Sequence, residues 1–209
     1  MATMPANAAT DTVSETGQTQ SSKILPSLLA GIDETQKLSV LHIGPASSHT
    51  LDFFSQYRCR LHFVDVFAEL PLQVSEDGPT DYISQWQQIL QLPQNTCFDL
   101  CLFWDLFNFL SRDAIDALLR VLMPHLWEDS VGHAFSVHTP ANTRGDFLYG
   151  VRDGATLSLR PRQSTPPGYA PHSQRQLTQA LHCFAIERSV LLSDSRLELL
   201  LRVNVKAQN

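Results

Sequence analysis

The stretch from Leu38 to Asp65 constrains the fold of this chain more than any other part of the sequence. It reads LSVLHIGPASSHTLDFFSQYRCRLHFVD: an apolar run ends at Gly44-Pro45, a run with helical spacing follows, and a second apolar run ends at Asp65. This order predicts the first βαβ unit of a nucleotide-binding α/β fold. Glycine lets the backbone come close to a ligand, and the following helix directs unpaired N–H groups at the same spot. Asp65, 21 positions after Gly44, can accept hydrogen bonds from ribose hydroxyls.

The glycine pattern of this unit is incomplete. A dinucleotide fingerprint needs G-x-G-x-x-G, whereas this chain has Gly44, then Ala46, then His49 or Thr50 in those places. An ordinary βαβ unit, in which Gly44-Pro45 only makes a turn, therefore remains the alternative to a ligand-binding one.

Length and composition favour a single domain and exclude several classes of function. The chain has 209 residues and a formal net charge of −6, which argues against a general nucleic-acid binder. Four cysteines at no zinc-type spacing suit a reducing cytosol. The chain lacks an apolar run long enough to span a membrane and the pattern of a signal peptide, so we expect a cytoplasmic protein without membrane contact. Scattered histidines without ligand spacing argue against a metal site.

Composition divides the chain into a tail, a domain and an insertion. Residues 1–22 are small and polar, which predicts a disordered tail because they can bury little apolar surface. Residues 23–209 form the predicted domain. Within it, residues 139–172 are rich in Pro, Gly and Arg and predict an irregular insertion, with Ala155 to Leu159 as a candidate short strand. This insertion is either a lid, a clamp for an anionic substrate, or a loop whose charges are simply solvated.

Further strands and helices are predicted to alternate along the domain. Phe98 to Asp105 (FDLCLFWD) is apolar apart from its two aspartates, which is typical of a central strand covered on both faces. A short third strand is possible at Leu72 to Val74. Two closing runs, Phe184–Leu192 and Leu197–Val205, predict an antiparallel hairpin. Helix N-caps are predicted at Thr80, Ser111 and Ser173.

The order β, α, β, α, β, α, β, insertion, α and β-hairpin resembles the class I S-adenosylmethionine-dependent methyltransferases. A dehydrogenase-type domain would continue with parallel strands instead. The resemblance covers residues 36–205 and is carried by VLHIGPASSHTLDFF, similar to the first motif of the family, and by FDLCLFWDLFNFL, similar to its fourth-strand motif. It implies a Rossmann-like three-layer α/β sandwich with a mainly parallel, seven-stranded sheet closed by the antiparallel C-terminal hairpin.

The resemblance also implies S-adenosylmethionine as the cofactor and assigns its contacts. These are Gly44, Pro45 and Ala46 for the methionine part, Asp65 for the ribose hydroxyls, Asp77 for the adenine side, and Trp104 near the methyl group. The chain departs from the family's (D/E)-x-G-x-G-x-G loop, because His42 replaces the leading carboxylate and Ala46 and Ser48 replace two glycines. The first motif is therefore degenerate.

Methyl transfer needs mainly positioning and desolvation, so few catalytic side chains are obligatory. Asp105 and His138, each at the end of a predicted strand, are the candidates for a general base. A histidine at a strand end can equally be a hydrogen-bonded structural residue, and an aromatic group such as Trp104 can be core. The leading hypothesis is a methyltransferase with an unknown acceptor. The alternatives are a catalytically inactive protein of the same fold that binds a protein partner, and a nicotinamide-dependent oxidoreductase. The oligomeric state is not predicted.

Overall fold

A computed structural model describes residues 17–32, 35–76, 78–138 and 147–204 of the chain. In chain order the elements are β1 (Gln18–Ser21), α1 (Leu25–Leu29), β2 (Leu38–Ile43), α2 (Ser48–Phe54), β3 (Cys59–Val64), α3 (Tyr82–Leu90), β4 (Phe98–Trp104), α4 (Arg112–Leu122), β5 (Leu126–Val137), β6 (Phe147–Asp153), β7 (Thr156–Pro161), α5 (Gln174–Ala180), β8 (Phe184–Leu191) and β9 (Arg196–Val203).

The central sheet has the spatial order β3-β2-β4-β5-β9-β8. The first four strands are mutually parallel, β9 pairs antiparallel with β5, and β8 pairs antiparallel with β9. A mainly parallel sheet closed by a C-terminal hairpin is therefore confirmed. Within the described ranges it has six strands rather than seven.

The possible third strand at Leu72 to Val74 is not formed. The backbone N–H and C=O of Gln73 bond to the side chain of Gln85 on α3, at 2.9 and 3.0 Å. Because a helix side chain satisfies these groups, the segment does not pair with the outer edge of β3, which is an edge of the sheet within the described ranges.

Helices cover one face of the central sheet, and a mixed layer covers the other. Leu41, Cys101, Phe103 and Leu199 point to the face where α3, α4 and α5 pack. Ser111 and Ser173 cap α4 and α5 as predicted, whereas Asp81 rather than Thr80 caps α3. The opposite face carries α1, α2 and a small second sheet. No helix in the described ranges is long and apolar enough to cross a membrane.

The small sheet has the order β1-β7-β6 and is antiparallel throughout. It corrects two predictions. Residues 18–21, assigned to a disordered tail, form β1. Most of residues 147–161, assigned to an irregular insertion, form the hairpin of β6 and β7, and the candidate strand at Ala155 to Leu159 overlaps β7. β1 pairs with β7, so part of the ladder of each segment comes from a partner far away in the sequence. Residues 1–16 and 139–146 of those predictions lie outside the described part of the chain.

A buried carboxylate attaches the N-terminal segment to the central sheet. Glu198 on β9 accepts hydrogen bonds from the backbone N–H of Lys23 at 2.9 Å, from the hydroxyl of Ser22, and from Nε2 of His133 on β5 at 2.9 Å. Burial raises the pKa of Glu198, but these three bonds outweigh burial and hold the pKa below its usual value. The start of α1 is thereby fixed against the middle of the sheet.

Candidate functional site

Three residues that the sequence singled out lie at the carboxyl edge of the parallel strands. Gly44 follows β2, Asp65 follows β3 and Asp105 follows β4. The chain runs outward from β2 to β3 on one side and from β4 to β5 on the other, so β2 and β4 flank the point where the strand order reverses. Ligands of open α/β sheets bind in the crevice at this point.

Gly44 makes the turn that its sequence position predicts. Its φ of +123° is a backbone conformation that residues with a side chain rarely adopt. Its N–H donates to the carbonyl of Val64 at 2.7 Å and so continues the ladder to the residue before Asp65. Among the described residues, a Cβ at this position would meet only the ring of His42, at 3.8 Å. Gly44 itself is buried, and the ring of His42 lies in van der Waals range of the position that a Cβ would take.

His42 lies beneath this turn, fully buried between two aromatic rings. Its ring centroid is 4.9 Å from that of Phe63 and 5.4 Å from that of Trp104. Neither ring nitrogen has a hydrogen-bond partner among the described residues. Burial lowers the pKa of His42 to about 4, although backbone groups of Gly44 and Tyr149 oppose the shift. The side chain at the position where the resemblance implies an acid is thus a neutral core residue.

Trp104 ends β4 with a φ of +54°, which is an outlier for a bulky residue. Such strain is of the order of 1 kcal/mol and persists where the surroundings hold the residue in place. Here the Trp104 ring stacks on Tyr149 at 5.4 Å with an interplanar angle of 15° and contacts His133 at 5.2 Å. The turn at Trp104 places Asp105 at the crevice rather than along the strand.

Asp105 is buried and paired with an arginine from the insertion. Nη2 of Arg162 donates to Oδ1 of Asp105 at 3.0 Å, and the side chains are 5% and 3% exposed. The guanidinium also lies over the ring of Phe67, with 3.7 Å between Cζ and the ring centroid. Burial raises the pKa of Asp105 to about 7, although Arg162 lowers it. Oδ2 of Asp105 and Nε of Arg162 have no hydrogen-bond partner in the described ranges.

The hairpin that carries these groups docks on the first turn of α2. Ser47 caps the helix through the N–H of Thr50, and Oγ1 of Thr50 accepts the N–H of Val151 at 3.0 Å. Gly150 lies so close that a Cβ would come within 2.6 Å of the Ser47 hydroxyl. The N-terminus of α2 was expected to direct N–H groups at a ligand. Its first turn instead holds the hairpin.

Tyr149 and Arg196 form a second polar contact at the same edge. Arg196 opens β9 opposite Val137, the last residue of β5, and is 5% exposed. Its Nη1 donates to the Tyr149 hydroxyl at 2.8 Å, its Nε donates to Asp194 at 2.7 Å, and its Nη2 bonds Gln20 of β1. Burial and the nearby Asp105 raise the pKa of Tyr149 above its usual range. This contact ties the hairpin, β1 and the central sheet together.

The other predicted site residues have different surroundings. Asp65 is exposed at the rim, Pro45 is half-buried and Ala46 is exposed. His138 is exposed, and only its backbone N–H is engaged, by the carbonyl of Ser195 at 3.0 Å. Asp77 lies outside the described residues. Gly44, Asp65, Trp104 and Asp105 therefore share one edge of the sheet with His138, but His138 faces solvent.

Sequence reasoning missed Tyr149 and Arg196, and it considered Arg162 only among the arginines of a clamp for an anionic substrate in the insertion. A local signal for the hairpin was present, because Asp153-Gly154 stands between two apolar alternating runs, which favours a tight β-hairpin. The pairing of Arg162 with Asp105 spans 57 positions, and no local pattern indicates it.

Comparison with known proteins places this architecture among methyltransferase structures. No family model matches the chain, and no curated protein matches it. A solved structure of a candidate type 11 methyltransferase from Sulfolobus solfataricus is 13% identical with a TM-score of 0.50, and the match covers 87% of this chain and 90% of that one. A structure described as a pericyclic reaction enzyme is 14% identical with a TM-score of 0.51, over 86% of this chain and 47% of that one.

The fold is that of the class I methyltransferases. A third match, the Burkholderia thailandensis 1,6-didemethyltoxoflavin-N1-methyltransferase with bound S-adenosylhomocysteine, is 15% identical with a TM-score of 0.47 and covers 87% of this chain and 77% of that one. The chain spans about half the length of some matched structures, for example 54% of the pyocyanin biosynthetic protein PhzM. At these identities the likeness concerns the fold.

Proposed function

We propose that this chain binds S-adenosylmethionine at the carboxyl edge of its sheet and transfers the methyl group to an acceptor that is not yet identified. The observation that carries the proposal is the pairing of Gly44 with the end of β3. Gly44 has a positive φ, and among the described residues only the ring of His42 lies within 4 Å of the position that a Cβ would take. Its N–H is bonded to Val64, and the exposed carboxylate of Asp65 follows directly. The structures with bound S-adenosylhomocysteine or S-adenosylmethionine among the matches support the choice of cofactor.

The residues present fit this cofactor at two points and differ from the family at a third. Gly44 has no Cβ, so a ligand can approach its backbone closely, and Asp65 provides acceptors for two ribose hydroxyls. His42 cannot act as the family's leading acid, because it is buried and neutral. A replacement for that acid has to come from another part of the chain.

When bound, the cofactor supplies an electrophilic methyl group on a sulfonium. The chain's contribution is to position the partners and to exclude water. Trp104 and Tyr149 form an apolar wall at the end of β4, and Phe67 and Arg162 close the side toward β3. A general base stays a prediction, because Asp105 is engaged by Arg162 and His138 is exposed. A cytoplasmic location and the absence of nucleic-acid or membrane partners also stay predictions.

The proposal is tested by isothermal titration of the purified chain with S-adenosylhomocysteine. Asp65→Ala should weaken binding by about tenfold to a hundredfold, because hydrogen bonds to a charged group contribute roughly 1.5–3 kcal/mol. Asp52→Ala removes the same charge from an exposed position on α2 and serves as the matched control. No binding at millimolar ligand, or equal losses in the two variants, would contradict the proposal.

The fold comparison does not favour the alternative of an inactive binding subunit. The structural feature that bears on it is the docked hairpin, whose Tyr149 and Arg162 fill part of the edge beside Trp104 and Asp105. Binding of S-adenosylhomocysteine together with undetectable turnover of S-adenosylmethionine on a panel of small-molecule acceptors would support that alternative.

A further inference from the structure

Two oppositely charged side chains, both buried, meet at the end of β4 in an incomplete pair. Arg162 and Asp105 share one hydrogen bond of 3.0 Å, between Nη2 and Oδ1. A guanidinium and a carboxylate frequently form two parallel bonds. Here Oδ2 of Asp105 is left as an acceptor without a donor, and Nε of Arg162 as a donor without an acceptor, among the described residues.

Buried polar atoms without partners cost free energy, so each one calls for an explanation such as a bound molecule. A group that completes this pair has to offer a donor to Oδ2 and an acceptor to Nε. An α-amino-acid zwitterion offers both, because its ammonium matches the carboxylate and its own carboxylate matches the guanidinium. A phosphate or a simple carboxylate would satisfy Arg162 and repel Asp105.

The pair lies where such a zwitterion is needed. Asp105 directly follows Trp104, whose ring contacts His42, and the ring of His42 lies under Gly44. Because His42 is neutral and enclosed, it offers no charge to an ammonium group. Two carboxylates are buried in the described ranges, Asp105 and Glu198, and Glu198 is already bonded by Ser22, Lys23 and His133.

We propose that Asp105 and Arg162 bind the α-ammonium and the α-carboxylate of the cofactor's methionine part and so replace the acid that the first motif lacks. This inference rests on the proposed function and assigns a subsite within it. Burial raises the pKa of Asp105 to about 7 although Arg162 and Arg196 lower it, and a bound ammonium would favour its charged form. The insertion then supplies half of a cofactor subsite.

Two ligands that differ only in this group provide the test. S-Adenosylhomocysteine carries the amino-acid group, and 5′-methylthioadenosine has the same adenosine and thioether without it. We expect Asp105→Asn and Arg162→Gln each to weaken S-adenosylhomocysteine binding by about tenfold or more and to leave methylthioadenosine binding within about twofold. Arg160→Gln changes an exposed arginine two positions earlier on β7 and should alter neither affinity.

Three outcomes overturn the inference, and they are distinguishable from one another. If neither ligand binds the wild-type chain, the proposed function fails and the subsite with it. If both bind and the two variants weaken both equally, or weaken neither, the proposed function stands and the subsite does not exist. Should a single variant fail to fold, the double variant Asp105→Asn/Arg162→Gln removes both buried charges together and is the one to titrate. It should bind the two ligands with similar affinity.

Discussion

Replacing Gly150 by alanine should loosen the hairpin that completes the candidate site. The new Cβ would lie 2.6 Å from the Ser47 hydroxyl, 2.7 Å from the Ser158 hydroxyl and 3.0 Å from Oγ1 of Thr50. These distances are shorter than a carbon and an oxygen tolerate, so the hydroxyls have to turn away. Ser47 would then cease to cap α2, and Thr50 would lose its bond to the N–H of Val151.

The expected loss follows from these two contacts. An N-cap contributes about 1 kcal/mol, and a hydrogen bond of this kind contributes about 1 kcal/mol. Alanine has less conformational entropy than glycine in the unfolded chain, which offsets about 0.4–1 kcal/mol of this loss. Residual overpacking adds a cost of roughly 1–3 kcal/mol where the hydroxyls cannot fully move. We therefore expect Gly150→Ala to lower the free energy of unfolding by roughly 2–4 kcal/mol.

Urea unfolding followed by far-UV circular dichroism measures this difference. Gly154→Ala in the turn of the same hairpin is the matched control, because its Cβ would meet only Cδ1 of Leu29, at 4.0 Å. The control should be neutral or slightly stabilising. In a Ser47→Ala/Ser158→Ala background, the cost of Gly150→Ala should fall by about half, since two of the three obstacles are gone. Equal midpoints for the two glycine variants, or an undiminished cost in that background, would refute the reasoning.

Two further predictions concern buried titratable groups. His42 has a pKa of 6.5 in an unfolded chain and about 4 when folded, so the unfolded state binds more protons between these values and stability rises with pH across this window. This pKa shift contributes about 3 kcal/mol to the free energy of unfolding, in full above pH 6.5 and not at all below about pH 4. His42→Phe should remove this pH dependence. A stability difference from wild type that does not vary with pH would contradict this account. Glu198→Gln should cost about 2–4 kcal/mol and increase hydrogen exchange at the Lys23 and Leu25 amides, because an amide cannot accept from Lys23, Ser22 and His133 together. Glu187→Gln, at an exposed pair with Arg202, should cost less than about 0.5 kcal/mol, and similar costs for the two variants would show that the buried bonds contribute little.

The central sheet could be predicted because its signals are local. Apolar runs bounded by Gly44, Asp65 and Asp105 identify three parallel strands, and the two closing runs identify the hairpin. A strand that is apolar on both faces is predicted to lie between two layers from its sequence alone. The strand predicted at Leu72 to Val74 is absent for a reason that the local pattern does not contain. The side chain of Gln85, on a helix that begins ten positions after Leu72, bonds the backbone groups that a strand would use.

The small sheet was not predictable from composition. β1 consists of Gln18 to Ser21, four polar or small residues that resemble the rest of a polar tail. It is ordered by ladder bonds to β7 and by Gln20 and Ser22, whose side chains bond Arg196 and Glu198. The sequence separation between Ser22 and Glu198 is 176 positions. Contacts at this distance leave no periodicity in either segment.

The candidate site has two parts: the carboxyl edge of the parallel strands, which the sequence predicts, and the docked hairpin of β6 and β7, which it does not. Gly44 and Asp65 belong to the parallel sheet and are fixed by its ladder, whereas Tyr149 and Arg162 reach the same edge only when the hairpin is docked on α2. Asp105 follows β4 directly, whereas its partner Arg162 reaches this edge through that docking. A ligand that bonds Asp105 and Arg162 together binds the docked state alone, and it therefore stabilises the hairpin by the free energy of its own binding. If Asp105 and Arg162 form the proposed subsite, the stability of the docked hairpin and the affinity for a zwitterionic ligand are thermodynamically linked.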